Sequence, residues 1–478
     1  MTAIQIRPEF LWFVGAYFLV MIGIGVWASR RVKNADDYNL AGRSLGPVVL
    51  AGTLMATSVG SGTVTGGGNS LAYNYGLWAG VAWIIPYIVI FPVYMWINGK
   101  IRKVGAYTTS EILGRKYGPL AKIMGFVVTC FAFVGIVSYQ YRGLANVLAV
   151  TTGIDSDTGL IIGVAVIVII ALLGGLFSVA YTDAFGAFLI LIMCLIAIPV
   201  AISAGGGWDA IVSSPSITPE KLSLSGGREW YQWLSGYLPL IILLLGDQNF
   251  YQRFAAAKSD QAAKIGAFGW MALACLAIPG VGVMAFVGLA MFGDNIEASQ
   301  AFMAATTLLP TAVGGLLLAA ATAFIVTTGT SYLLSSSTNI IYDISATYIK
   351  KDMSEKTKLW ASRLCIPILG VLAYIVLKFF PDVLAVQNWS YTMIGAGLTP
   401  AIIGALVWPM TTKVAGIASI IVGAGTTLWW EIIAGSKLVF AGGVTGIGSA
   451  LVAFPLAILT LVVVTLLTGK KSATPAIV

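Results

Sequence analysis

Residues 55–68 read MATSVGSGTVTGGG and lie inside a long apolar segment, yet Gly, Ser and Thr dominate them. A helix surrounded by lipid must satisfy its own backbone hydrogen bonds. This run instead combines glycines, which free the backbone, with hydroxyls that compete for its polar groups. Broken backbone at membrane depth is tolerated only where it is buried in protein or lines a cavity. There its free carbonyls suit cations and its free N–H groups suit anions. Two readings follow: the floor of a transport site, or a small-residue face for helix packing.

The rest of the chain sets the context. Of 478 residues, 58% are hydrophobic and only 10% charged, with a mean hydropathy of +0.91. Soluble domains carry about 25% charged residues, so this is an integral membrane protein. Its net charge of +8 then reflects topology, and no nucleic-acid partner is expected. The four cysteines fall in separate apolar spans with no paired spacing, and read as small core residues. Histidine is absent. With no clustered acids either, an intramembrane enzyme has no base or metal constellation to work with. The N-terminus lacks a basic region and a small-residue cleavage site, so the first apolar segment is expected to stay as a helix.

Hydropathy supports thirteen spans: 9–29, 46–70, 77–98, 122–150, 159–177, 182–204, 231–251, 264–292, 309–343, 359–379, 384–409, 414–433 and 445–468. With the N-terminus outside, 21 of the 27 basic residues fall in loops on the inner side. The positive-inside rule therefore predicts an outside N-terminus and a cytoplasmic C-terminus. Setting the first span aside, the next ten divide into two sets of five with opposite orientation. The opening stretch interrupts the first member of one set, and Gly236 and Pro239 interrupt the first member of the other. Paired interruptions in inverted halves point to a midplane transport site. The expected organisation is a peripheral helix and basic loop at 1–45 and a first repeat at 46–204. An outer loop at 205–230, a second repeat at 231–409, and two further helices with a short tail at 410–478 complete it.

Ionisable groups within spans are costly and usually functional. Here they include Arg142, Asp183 and Asp247. In span 309–343, Thr327 and Ser331 are four apart and share a helix face with Thr330. Hard oxygen ligands of this kind suit sodium. The alternative is hydroxyls bonded back to their own helix.

Four stretches carry a family resemblance: Ala56-Thr57-Ser58-Val59-Gly60-Ser61-Gly62; Gly174-Gly175-Leu176 with Tyr181-Thr182-Asp183; Asp247-Gln248 with Tyr251-Gln252-Arg253; and Ile325-Val326-Thr327-Thr328. On these the sequence resembles the sodium/solute symporter family over nearly its whole length. The resemblance implies an all-α LeuT-type fold, a 5+5 inverted repeat with one extra N-terminal and two extra C-terminal helices. It also implies a sodium site formed by the carbonyls of Ala56, Val59 and Phe324 with the hydroxyls of Thr327 and Thr328. A second sodium, held in some members, would match Asp183, Thr327, Thr330 and Ser331. Where the family usually has Ser at the hydroxyl positions, this chain has Thr.

The positions aligned with the polar groups of sugar-transporting members are Gly62, Thr63, Leu240 and Leu243, which argues against a sugar. Arg142 suggests a counter-charge for an anion, since its fork binds both oxygens of a carboxylate. Backbone N–H groups of residues 58–63 could hold the same group. The substrate candidates are thus Ser58, Gly60, Ser61, Thr63, Gln140 and Arg142, with Arg142 alternatively structural. Trp78, Trp83, Tyr87, Tyr139 and Tyr141 are candidates for the pocket wall. The expectation is a monomeric, multi-pass protein of the inner or plasma membrane that couples one or two sodium ions, and no organic cofactor, to import of a small anionic, carboxylate-bearing solute. A neutral solute (amino acid, polyol, urea or sugar) and a transporter-like sensor remain open.

Overall fold

The computed structural model describes residues 4–30, 35–173, 176–349, 353–380, 382–430 and 447–469. Gly174 and Gly175 of the second motif lie outside them, as do Arg31, Lys33, Lys350, Lys351, Lys437, Lys470 and Lys471 from the charge count. Among the described residues the fold is helical, with one isolated bridge, Leu45 to Ala257.

The order begins with α1 (Phe10–Ser29), followed by a bent rod of α2 (Pro47–Ser58) and α3 (Gly67–Tyr75) joined by a wide turn at Gly62–Gly66. Then come α4 (Ile85–Val104), α5 (Pro119–Thr152), α6 (Ser156–Leu173) and α7 (Leu176–Ala204). A second interrupted rod, α8 (Trp230–Gly246) and α9 (Gln248–Ala255), precedes α10 (Asp260–Phe292) and α11 (Thr311–Asn339). The chain continues through α12 (Glu355–Leu377), α13 (Val383–Gly397), α14 (Thr399–Val407), α15 (Lys413–Leu428) and α16 (Ser449–Thr468).

Local chemistry sets the boundaries. Helix α5 starts with Pro119 after Gly118 at φ 94° and stops at Gly153 at φ 72°, a Pro-first, Gly-last helix. The bent pair turns by 49°, because Val59 leaves helical geometry at φ −117°, ψ 53° and Gly66 does so at φ −93°, ψ −121°. The second break is not where Gly236 and Pro239 suggested. Helix α8 runs through both and ends at Gly246. Asp247, at ψ 116°, then caps α9 by accepting from Asn249 N. Proline removes one donor and bends a helix; a Gly followed by an N-cap Asp ends one.

Nine helices among the described residues are long and apolar enough to span a membrane, ten with the bent pair counted as one. The expected thirteen are not reached by this measure because three rods are short. Ser156–Leu172 and Lys413–Leu428 fall below the length of a full span, and α8 has 17 residues before its break. In the packed bundle α2 lies against α7 and α10, while α11 runs past α1, α5 and α7. The whole stretch of α11 from Leu317 to Asn339 is buried, so its hydroxyls face protein.

Candidate functional site

Of the sodium-site residues expected from α2 and α11, Ala56 and Thr328 are brought into contact. Thr328 Oγ1 donates to the Ala56 carbonyl at 3.2 Å, across the end of α2. Gly60 presses on the same threonine: a Cβ added there would lie 2.8 Å from its Oγ1 and Cγ2. Val59 is fully buried at the break and Phe324 is fully buried on α11. Thr327 Oγ1 is buried without a hydrogen-bond partner among the described residues. An unmet buried hydroxyl costs about 1–3 kcal/mol, and a hard cation would use that oxygen. The donor set fits sodium in being all oxygen.

The second set is joined by a residue the sequence reading did not place. Arg253, fully buried on α9, donates to Asp183 Oδ2 at 3.2 Å and to Ser331 Oγ at 3.1 Å. It also donates through Nε to Thr53 Oγ1 at 2.9 Å, and Thr53 Oγ1 donates to Asp183 Oδ2 at 2.7 Å. Asp183 Oδ1 and Thr330 Oγ1 are buried and unpartnered among the described residues. The available signal was an arginine and an acid both buried in apolar surroundings, which must pair.

A narrow cavity opens beside the first break. Its lining includes Ser58, Gly60, Gly62, Tyr87, Tyr139, Gln140, Asp247, Thr328, Tyr332 and Tyr391, with Leu240 and Leu243 on an apolar side. Gln140 Oε1 accepts from Ser61 N at 2.8 Å, while its Nε2 is buried and unpartnered among the described residues. Ser58 Oγ donates to Leu54 O at 2.7 Å and accepts from Trp270 Nε1 at 2.9 Å. Ser61 Oγ donates to Tyr139 O at 3.0 Å, and Thr63 Oγ1 to Ser58 O at 3.2 Å. These three hydroxyls therefore brace the break.

Arg142 is not brought to this cavity. It is half-buried, and its guanidinium donates to Ser156 Oγ at 2.6 Å, at the start of α6. Of the aromatic candidates, Tyr87 and Tyr139 line the cavity. Trp83 Nε1 donates to Thr63 Oγ1, Tyr141 OH donates to Gly370 O, and Trp78 is exposed.

Further polar contacts tie the two rods to their neighbours. On one side Asn69 on α3 donates to Ala298 O at 2.6 Å and accepts from Phe302 N at 2.7 Å. On the other, Gln248 Nε2 donates to Asn339 Oδ1 at 2.8 Å, and Thr108 Oγ1 donates to Asp343 Oδ1 at 2.9 Å.

An all-helical bundle whose two discontinuous rods meet around an enclosed polar cavity is the architecture of a LeuT-type secondary transporter. A solved structure with the same fold is titled as the substrate-bound, outward-open state of a Na+-coupled sialic acid symporter. It matches with a TM-score of 0.79 at 17% identity, over 98% of this chain and 99% of its own. The sodium/proline symporter of Escherichia coli K12 is 27% identical over 422 residues, 81% of this chain and 80% of the relative. The sodium/pantothenate symporter of the same strain is 26% identical over 362 residues, 72% and 74% of the two chains. A model of the Sodium:solute symporter family matches residues 38–423. The chain belongs to that family: it is a sodium-coupled membrane transporter and not an enzyme.

Proposed function

We propose that the chain imports a small carboxylate-bearing solute with one or two sodium ions by alternating access. The observation that carries this reading is the contact of Thr328 with the Ala56 carbonyl, directly beside the cavity that Gly60 and Thr328 both line. Sodium at the end of α2 would tie that helix to α11 and fix the shape of the solute seat. Coupling requires only that sodium favour the solute-competent state. The carboxylate is taken by the free Nε2 of Gln140 and by backbone N–H groups at the break, with no role for Arg142. Sodium occupies Ala56, Val59, Phe324, Thr327 and Thr328. Any second ion shares Asp183, Thr327, Thr330 and Ser331 with the Arg253 guanidinium. Proline, pantothenate and sialic acid, named for the relatives and the structural neighbour, all carry a carboxylate.

In this reading the protein works as a monomer in the inner or plasma membrane, N-terminus outside and C-terminus cytoplasmic, with inverted repeats at 46–204 and 231–409. One observation favours a second reading, a solute without net charge: no basic side chain lines the cavity among the described residues. Thermal unfolding of the purified protein in sodium and in potassium buffer, against carboxylates, amino acids, polyols, sugars and urea, separates the two. A ligand stabilises the state it binds, so a shift that requires sodium is expected from solutes that carry a carboxylate, amino acids included, whereas a shift from polyols, sugars or urea alone would carry the second reading. A chain indifferent to sodium at every concentration would overturn the symport reading.

A further inference from the structure

Among the described residues three buried carboxylates lie inside the helical bundle, and two of them pair with a basic group within 4 Å. Asp183 meets Arg253 at 3.2 Å and Asp343 meets Lys122 at 3.6 Å. Asp247 has no cation within 4 Å among the described residues. It is 1% exposed and lines the cavity at the first break. Its partners are neutral donors: Asn249 N at 2.9 Å, Asn249 Nδ2 at 3.4 Å and Tyr332 OH at 2.6 Å. A carboxylate offers about four lone-pair sites, so capacity remains. Arg253 acts on this carboxylate only from beyond 4 Å and is itself bonded to Asp183, so Asp247 is a costly buried charge at the wall of the proposed solute cavity.

The walls around it are aromatic. Tyr139, Tyr332, Tyr391 and Phe250 share the cavity with Asp247, and ring faces attract organic cations. We propose that Asp247 and these rings form a seat for an organic ammonium group. The inference rests on the symport reading above and sharpens it. The solute becomes a zwitterion, with its carboxylate toward Gln140 and the break and its ammonium toward Asp247. The bland role for Asp247 is the N-cap of α9, which it performs. Capping does not need charge, because Asn caps as well as Asp. Asp247→Asn therefore keeps the cap and removes the counter-charge.

The test uses the purified full chain, with thermal unfolding in sodium buffer. Amino acids, imino acids and betaines are compared with shape-matched solutes lacking nitrogen: L-proline with cyclopentanecarboxylate, and L-leucine with 4-methylpentanoate. The ammonium-bearing member of a pair is expected to stabilise the protein and its partner to fail. In Asp247→Asn the concentration required should rise roughly thirtyfold or more, while stabilisation by sodium alone persists. Equal shifts from both members of the pairs would overturn the proposal, as would no shift from any ammonium-bearing solute. A raised sodium requirement in solute-free Asp247→Asn would also overturn it, by making Asp247 a sodium ligand. The pair comparison stands on the native chain, so it decides the matter even if the variant unfolds. Loss of every sodium effect in the native chain would instead remove the symport reading itself.

Discussion

Arg253 on α9 and Asp183 on α7 stand 3.2 Å apart, both essentially inaccessible to solvent, and the same guanidinium reaches Ser331 on α11. One side chain thus keys the second broken rod to two helices of the bundle. Removing one partner of a buried pair leaves an uncompensated charge and costs about 3–5 kcal/mol. Arg253→Gln should therefore lower the melting temperature sharply. Adding Asp183→Asn should restore part of the loss, since the orphaned charge goes too. A double-mutant cycle read by thermal unfolding checks this; strictly additive losses would show that the pair is not coupled.

Thr328→Val keeps the shape of the side chain and removes the hydroxyl that bonds to Ala56 O. Losing one oxygen ligand of about 1–1.5 kcal/mol should raise the sodium concentration for half-maximal transport about tenfold. Uptake measured across a sodium titration gives the answer, and an unchanged midpoint would remove Thr328 from the site.

Arg142→Gln should transport nearly as the native protein does, with apparent solute affinity changed by about twofold or less. Among the described residues its hydrogen-bond partner is the exposed Ser156 hydroxyl, and such surface contacts seldom exceed about 0.5 kcal/mol. A large loss of affinity in an uptake assay would return Arg142 to the solute site.

Gly62→Ala introduces a Cβ that would sit 2.5 Å from Tyr391 OH and 3.3 Å from Tyr139 OH. Those hydroxyls bond to one another at 3.2 Å across the cavity. Solute binding should weaken by about tenfold or more from the displaced wall, while sodium alone still raises the melting temperature. Equal loss of both responses would mean that the fold, rather than the cavity, was damaged.

The first break was legible because its cause is local: glycines and hydroxyls packed into an apolar run leave little else for the backbone to do. Thr328 could be placed at the ion junction through family resemblance, and the structure brings it to Ala56. Asp247 was visible as an intramembrane acid, but not its place on the cavity wall, which depends on how α8 and α9 meet. The second break was misplaced because Pro239 draws the eye, although a long helix can carry an internal proline. Arg142 stands away from the cavity for a reason of length. Helix α5 has 34 residues, about 51 Å at 1.5 Å per residue, against a hydrocarbon core of about 30 Å. A position deep in such a helix by count can still stand near its emerging end. Arg253 was quoted within a motif, yet its partners come from three other segments, and no spacing in the sequence records that.

The short pairing of Leu45 with the segment after α9 has a mechanical meaning. Leu45 N donates to Ala256 O, and Lys258 N donates to Leu45 O, both at 3.0 Å. Leu45 leads directly into α2, and Ala256 directly follows α9. The Pro47–Ser58 and Gln248–Ala255 arms of the two discontinuous rods, one from each half of the chain, are therefore yoked like gears on one shaft. Neither arm can swing alone without tearing that clasp, so any opening at this end of the bundle has to move both together.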